Sequence, residues 1–339
     1  MMRPLRILTW HIHGNYLYYL VHSHQKFYLP VKPGLPAGYA GRTPGFPWPE
    51  NVHAVPAQEV SQLELDCILF QSRQNYDIDQ YEILSSAQQQ LPKIYLEHDP
   101  PREHPTDTQH WVNDPTLLLV HVTHFNHLMW NSGRTPTTVI EHGVPDLGNV
   151  QYTGELERGL VVVNNLNSRG RRLGADLFEI VRDRIPLDLI GMNSDQMEGL
   201  GEVSHEELAA FEARYRFFFN PIRYTSLGLA VCEAMMVGMP IVALATTEMV
   251  TVIENGISGF VDTNLDALVE AMEELLQHPE EARRLGLGAQ QVARERFSLD
   301  RFASDWDTAF EWVAGKRLGI YQGISSSSTK TLSTAGEAR

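Results

Sequence analysis

NPIRYTSLGLAVCEAMMVGMPIVALATTEMVTVIENGISGFV, from Asn220 to Val261, carries the clearest structural signal of the chain. The residues Phe217–Asn220 lead into it as a short buried strand, and Pro221 marks a loop. The chain then turns through Ser226 and Gly228 into an apolar helix. Gly238 stops that helix, Pro240 follows, and Ile241 begins a second apolar strand. A loop that opens onto a helix N-terminus presents free backbone N–H groups and the positive end of the helix dipole, so it favours phosphate. Glu233 stands about one turn into the helix, among Val231, Cys232, Ala234, Met235 and Met236. A carboxylate in so apolar a helix needs a hydrogen-bond partner. A ribose diol beside a diphosphate supplies one.

The same residues carry a resemblance. Ser226-Leu227-Gly228-Leu229, Glu233-Ala234-Met235 and Gly238-Met239-Pro240 are similar to the nucleotide-sugar site of GT-B glycosyltransferases of family four, the glycogen-synthase-like retaining group. Glu254-Asn255-Gly256-Ile257-Ser258-Gly259-Phe260-Val261 matches that family's downstream turn and strand. Two places depart from it. Thr225 stands where the family has a first acid, and Thr247-Glu248 stand where it has Gly-Gly. The bland reading is an ordinary β-loop-α-β unit. The resemblance implies an α/β, GT-B-like chain: two Rossmann-like domains with parallel sheets facing a cleft. Ligands in such sheets bind beyond the carboxyl ends of the strands.

The 339 residues favour two domains over one. A formal net charge of −15 argues against duplex nucleic acid, which needs clustered Lys and Arg, and against broad attraction to anionic lipid. Peripheral membrane contact through a local basic patch stays open. Cys67 and Cys232 sit in apolar settings and read as buried thiols, not a disulfide framework. No signal peptide is visible in Met1–Trp10, and no run reaches the roughly 18 apolar residues of a membrane span. A cytoplasmic location is the expectation.

Along the N-terminal half, strand-like runs occur at Leu5–Trp10, Cys67–Phe70, Lys93–Leu96 and Leu117–Val122. The Pro/Gly-rich stretch between Tyr28 and Pro56 reads as a long surface loop. Strands at Leu160–Val163 and Leu187–Ile190 alternate with helices near Ala175–Val181 and His205–Ala213, which implies parallel sheets. Helices follow around Leu265–Leu276, Glu280–Arg294 and Asp300–Val313. The expected organisation is an acceptor-side domain over 1–146 and a nucleotide-sugar domain over 147–302. A terminal helix over 303–318 returns to the first domain, and a disordered polar tail covers 319–339.

Candidate site residues gather at strand ends. Tyr95-Leu96-Glu97 ends a strand and delivers His98 and Asp99. The family has a histidine there that touches the donor sugar, so the resemblance gives His98 that role, with Asp99 shaping the pocket or holding His98. After the first strand the family has a Gly-rich loop that approaches the donor phosphate and the acceptor, so the resemblance gives Gly14 that close backbone approach and sets His13 and Asn15 to meet either substrate on the acceptor side; a plain strand-to-helix turn is the other reading. In the second half, Asn165 occupies the approximate place of the family's phosphate-binding arginine. Arg169, Arg171 and Arg172 form a basic cluster in an acidic chain, and planar guanidinium forks suit phosphate oxygens. With Glu233, Thr225, Ser226, Leu227, Gly228 and Leu229, these make the expected donor site. No metal and no cofactor are expected, since the histidines have no convincing ligand spacing.

The function this implies is transfer of a sugar from a nucleotide diphosphate sugar to a glycan, lipid-linked or small-molecule acceptor, with retention and without metal. A catalytically silent domain of the same architecture is the alternative. A sugar-nucleotide epimerase of that architecture is the third reading.

Overall fold

The computed structural model describes residues 3–317. The expected tail over 319–339, and the last residue of the expected terminal helix, lie outside the described residues.

Seven strands form the first sheet: β1 (Arg6–Thr9), β2 (Lys26–Val31), β3 (Val52–Pro56), β4 (Cys67–Phe70), β5 (Lys93–Glu97), β6 (Leu118–His121) and β7 (Thr137–Val139). Their order is β3-β2-β1-β4-β5-β6-β7, and every pairing is parallel. Five more form the second: β8 (Leu156–Val162), β9 (Leu187–Ile190), β10 (Tyr215–Asn220), β11 (Ile241–Leu244) and β12 (Gly259–Asp262). Their order is β12-β11-β10-β8-β9, again all parallel. Strands covered on both faces lose the polar alternation of half-exposed ones, which is why β4, β6, β10 and β11 are buried at every residue.

The stretch between Tyr28 and Pro56 corrects the loop reading. β2 runs on to Val31 and β3 begins at Val52, so only residues 32–51 are loop. Proline is admitted because Pro56 ends the outermost strand and Pro30 forfeits a single ladder donor. The loop is pinned: the Asn51 carboxamide donates to the Val21 and Gln25 carbonyls, and the Trp48 indole donates to Thr43.

In the second sheet, the helices Leu166–Leu173, Ala175–Arg182 and Leu265–Gln277 cover one face. The helices His205–Glu212, Leu229–Val237 and Pro279–Arg296 cover the other. The helix Leu299–Arg317 crosses back to the first sheet, where Phe302, Trp306 and Phe310 are fully buried beside Tyr16 and Phe27. Among the described residues, no helix is long and apolar enough to cross a membrane. Cys67 and Cys232 are free and buried.

Candidate functional site

The carboxyl ends of the two sheets face each other. From the first sheet, β1 ends at Thr9 and the chain reaches His13, whose left-handed backbone (φ 48°) starts the helix Gly14–Leu20. β5 ends at Glu97 and delivers His98. The two imidazoles meet with ring centroids 4.0 Å apart, and Tyr16 lies edge-on to His98 at 4.8 Å. Asn126 holds the His98 carbonyl, while Nε2 of His98 is buried without a partner. Burial, with His13 and His142 nearby, pushes the His98 pKa well below the usual histidine range, so its ring is neutral at pH 7. Desolvation by the cleft walls also lowers His13, although its surface is exposed.

Asp99 is turned away from His98. Its carboxylate takes Arg102, its N–H donates to Glu97, and its carbonyl accepts from the Trp130 indole. Asn15 is half-buried near the start of its helix. A Cβ on Gly14 would lie 3.3 Å from the His11 ring, so the glycine serves a close approach within its own wall.

From the second sheet, β8 ends at Val162 and leads to Asn165, also left-handed (φ 57°). Its side chain accepts from Asn193 at 2.6 Å, tying the loop after β8 to the loop after β9. The three arginines of the following helix separate. Arg171 is exposed and paired with Asp176 at 2.6 Å, facing out of the cleft. Arg169 and Arg172 are half-buried. Arg172 reaches the Tyr224 carbonyl, and Arg169 has no acceptor among the described residues. Burial lowers both pKa values; Arg172 adds to this for Arg169 and Arg102 adds to it for both, while the Asp99 carboxylate works the other way on both. Three cations share the one carboxylate of Asp99, which is already paired with Arg102, so the cluster keeps an excess of positive charge that an anion would stabilise. Gly174 (φ 85°) lets this segment close on the loop after β10, because a Cβ there would strike the Pro221 carbonyl at 2.1 Å.

That loop carries Thr225 and Ser226, both half-buried, and then Leu227, Gly228 and Leu229 at the helix start. No side chain caps the helix Leu229–Val237; the Val231 N–H donates back to the Gly228 carbonyl at 3.1 Å, which leaves the Leu229 and Ala230 N–H groups at the helix start available. The Leu227 carbonyl takes Nε2 of His142 at 2.6 Å. Glu233 lies further along, in a different setting. Its Oε1 accepts from the Tyr19 hydroxyl at 2.6 Å, across the two halves. Behind it is a cavity of about 350 Å³, lined by Tyr18, Tyr19, His205, Glu212 and Met236. Glu212 is fully buried, and neither carboxylate oxygen has a partner. Burial, with Glu233 adding repulsion, raises Glu212 well above the usual glutamate range. Glu233 is raised by burial and partly restored by Tyr19.

Residues 177–278 match the family model described as glycosyl transferases group 1. An alpha-D-kanosaminyltransferase of Streptomyces kanamyceticus is 28% identical over 195 residues, which span 54% of this chain and 47% of that protein. The match therefore covers about half the length of that curated relative. Among solved structures, a sucrose-phosphate synthase from Thermosynechococcus elongatus superposes with a TM-score of 0.65 at 14% identity, over 93% of this chain and 100% of that one. A glycosyltransferase from Rickettsia africae gives 0.66 at 12%, over 92% and 99%. Anabaena HepE in complex with UDP-glucose gives 0.65 at 14%, over 91% and 100%. The chain has the GT-B fold.

Within that fold, several site residues carry no local signal. Tyr19, Arg102, His142 and Tyr224 reach the cleft through contacts between distant segments; the Tyr224 hydroxyl donates to the Pro101 carbonyl at 2.9 Å, 123 positions away. Thr247 and Glu248 have a structural account. Thr247 keeps a left-handed backbone (φ 51°), which a glycine would adopt without strain. The buried Glu248 carboxylate accepts from the Phe125 N–H at 2.7 Å and pairs with Arg296 at 3.1 Å, joining the two halves.

Proposed function

We propose that this chain transfers a sugar from a nucleotide diphosphate sugar to an acceptor, with retention and without a divalent metal. The observation that carries the reading is the half-buried, unpartnered Arg169 beside Arg172, opposite His13 and His98 and close to an uncapped helix end. The diphosphate sits against Arg169, Arg172 and the N–H groups after Gly228. These groups stabilise the charge that develops as the nucleotide departs, which gives the chemistry its electrostatic support without a metal. Arg171 has no part in this, because Asp176 holds it outside. Neutral His98 meets a hydroxyl of the transferred sugar through its free Nε2. With Thr225 in place of an acid, sugar selection leans on this N-terminal wall. Glu233 holds the ribose through the carboxylate oxygen that Tyr19 leaves free.

The test has two parts. UDP, GDP and ADP are compared for the rise they produce in melting temperature. Transfer from the matching sugar nucleotide is then followed in excess chelator, with the product anomer read by NMR. A chain that binds no nucleoside diphosphate loses the reading. Activity that vanishes in chelator and returns with magnesium removes the metal-free part alone, and an inverted product removes retention alone. The silent-domain alternative now rests on Thr225, since Glu248 has a bridging task of its own.

A further inference from the structure

Gly228 gives the phosphate loop a weak point. Its backbone is ordinary (φ −79°), and a Cβ added there would meet nothing within 4 Å. The protein's own packing therefore does not require glycine here, whereas a ligand that comes close to the backbone does. The peptide between Leu227 and Gly228 is then easily turned over. Rotating it by half a turn drives the φ of the second residue positive, a region that glycine enters freely and other residues avoid. A trans peptide sets its C=O and N–H on opposite edges. The turned-over form would put the Leu227 carbonyl oxygen where the Gly228 N–H had been, an acceptor where phosphate needs a donor.

His142 holds that peptide. Its Nε2 donates to the Leu227 carbonyl at 2.6 Å, across 85 positions. A carbonyl only accepts, so the proton is on Nε2 and Nδ1 carries the lone pair. Nδ1 is buried with no partner. An imidazole kept for packing alone would leave buried nitrogens to satisfy, where a phenyl ring leaves none. The segment that carries His142 is itself fixed. The Arg301 guanidinium donates to the Glu141 and His142 carbonyls, Glu141 pairs with Arg296 at 2.5 Å, and a Cβ on Gly143 would strike Phe302 at 2.2 Å. The Tyr16 ring stands edge-on to both His142, at 5.6 Å, and His98, at 4.8 Å. One buried ring thus sets the spacing between His98 and the residue that holds the loop. The N–H groups of Gly228, Leu229 and Ala230 have no acceptor among the described residues.

We propose that His142 is a positioning residue for the diphosphate. Its Nε2–H keeps the peptide after Leu227 in the orientation that offers the Gly228 N–H to a phosphate oxygen, beside those of Leu229 and Ala230. The inference rests on the transfer reading above and adds a residue that acts through the loop instead of touching the ligand.

Calorimetry compares the full chain with three variants, using whichever of UDP, GDP and ADP the wild type binds best, and the matching nucleoside. His142→Phe keeps a ring and loses the donor. His142→Gln keeps an amide N–H at about the reach of Nε2, and in His142→Asn the amide falls short. His142→Phe and His142→Asn should weaken the diphosphate about tenfold or more and the nucleoside less than twofold. His142→Gln should recover most of the diphosphate affinity. The inference fails if His142→Asn keeps full diphosphate affinity, if nucleoside and diphosphate weaken equally, or if His142→Gln is no better than His142→Asn. Each of these leaves the transfer reading standing. If His142→Phe does not fold, the contrast between His142→Gln and His142→Asn decides. A wild type that binds none of the three diphosphates overturns both readings.

Discussion

Two regions flank the helix Gly14–Leu20, one cationic and the other lined by carboxyls that burial drives towards the neutral form. At its N-terminal end, Arg169, Arg172 and Arg102 crowd together with one of them unpartnered, and the facing histidines are kept neutral. Towards its C-terminal end, Glu212 and Glu233 share a largely apolar cavity and are both pushed towards the protonated form. A diphosphate is favoured at the first region and finds no cation in the second. A nucleoside, which donates hydrogen bonds and carries no charge, suits the second. The comparison teaches that one ligand can be oriented end to end by electrostatics before any detailed contact forms.

The largest effect expected on this contrast is from His98→Ala. It should cut transfer about 100- to 1000-fold, the scale of a lost transition-state donor, while affinity for the free nucleotide stays nearly unchanged. Because His98 is held neutral, transfer should also not fall as pH drops through the ordinary histidine range. Full turnover in the variant would remove the N-terminal wall from the chemistry. Next in size is Arg169→Gln, which loses a charged hydrogen bond of about 1.5–3 kcal/mol, or ~10- to 150-fold in affinity for the diphosphate, with little change for the nucleoside. Arg171→Gln is its control and should change neither. Equal losses in both variants, read by calorimetry, would dissolve the distinction between the inward and outward arginines.

The acidic region gives a smaller effect, visible in pH dependence. Glu212 has a folded pKa raised above its unfolded value, so the native state binds the extra proton. Its contribution to stability is present below the unfolded pKa of about 4.3 and is lost as pH rises through the raised folded value. Glu212→Gln should therefore flatten the decline in stability above that pH. Urea unfolding from pH 4 to pH 8 checks this, and parallel curves for variant and wild type would mean Glu212 is not held protonated. The smallest effect is at Thr247. Glycine relieves a left-handed β-branched residue at a cost of about 1–2 kcal/mol, offset in part by unfolded-chain entropy, so Thr247→Gly should gain about 1 kcal/mol. A loss measured in the same unfolding experiment would show that the backbone is not strained there.

Parts of the chain differ in how legible they were. Asn220–Val261 announced its strand, helix and strand because continuous apolar runs are punctuated by Gly238, whose φ of 96° needs glycine. Strands β2 and β3 were hidden, because prolines that usually deny strands sit at positions where a missing donor costs little. His98 and Arg169 could be named from strand ends and local charge. Tyr19 could not, because it meets Glu233 across 214 positions. The separation of Arg171 from its neighbours depends on Asp176, and on how the helix turns beyond Gly170, whose backbone breaks the regular pattern. Periodicity reports which face is apolar; it does not report which distant segment will arrive there.

The returning helix has a consequence for the order in which the protein matures on the ribosome. Tyr16 and Phe27 complete their packing only against Phe302, Trp306 and Phe310, and Asp307 binds the His24 N–H and the Gln25 side chain. The five-strand sheet is fully synthesised by residue 262, whereas the seven-strand sheet must wait for residues near 310. Domains ordinarily fold in the order they emerge. Here the first sheet made is the last to be finished, and its unpacked face is the surface a nascent-chain chaperone would have to guard.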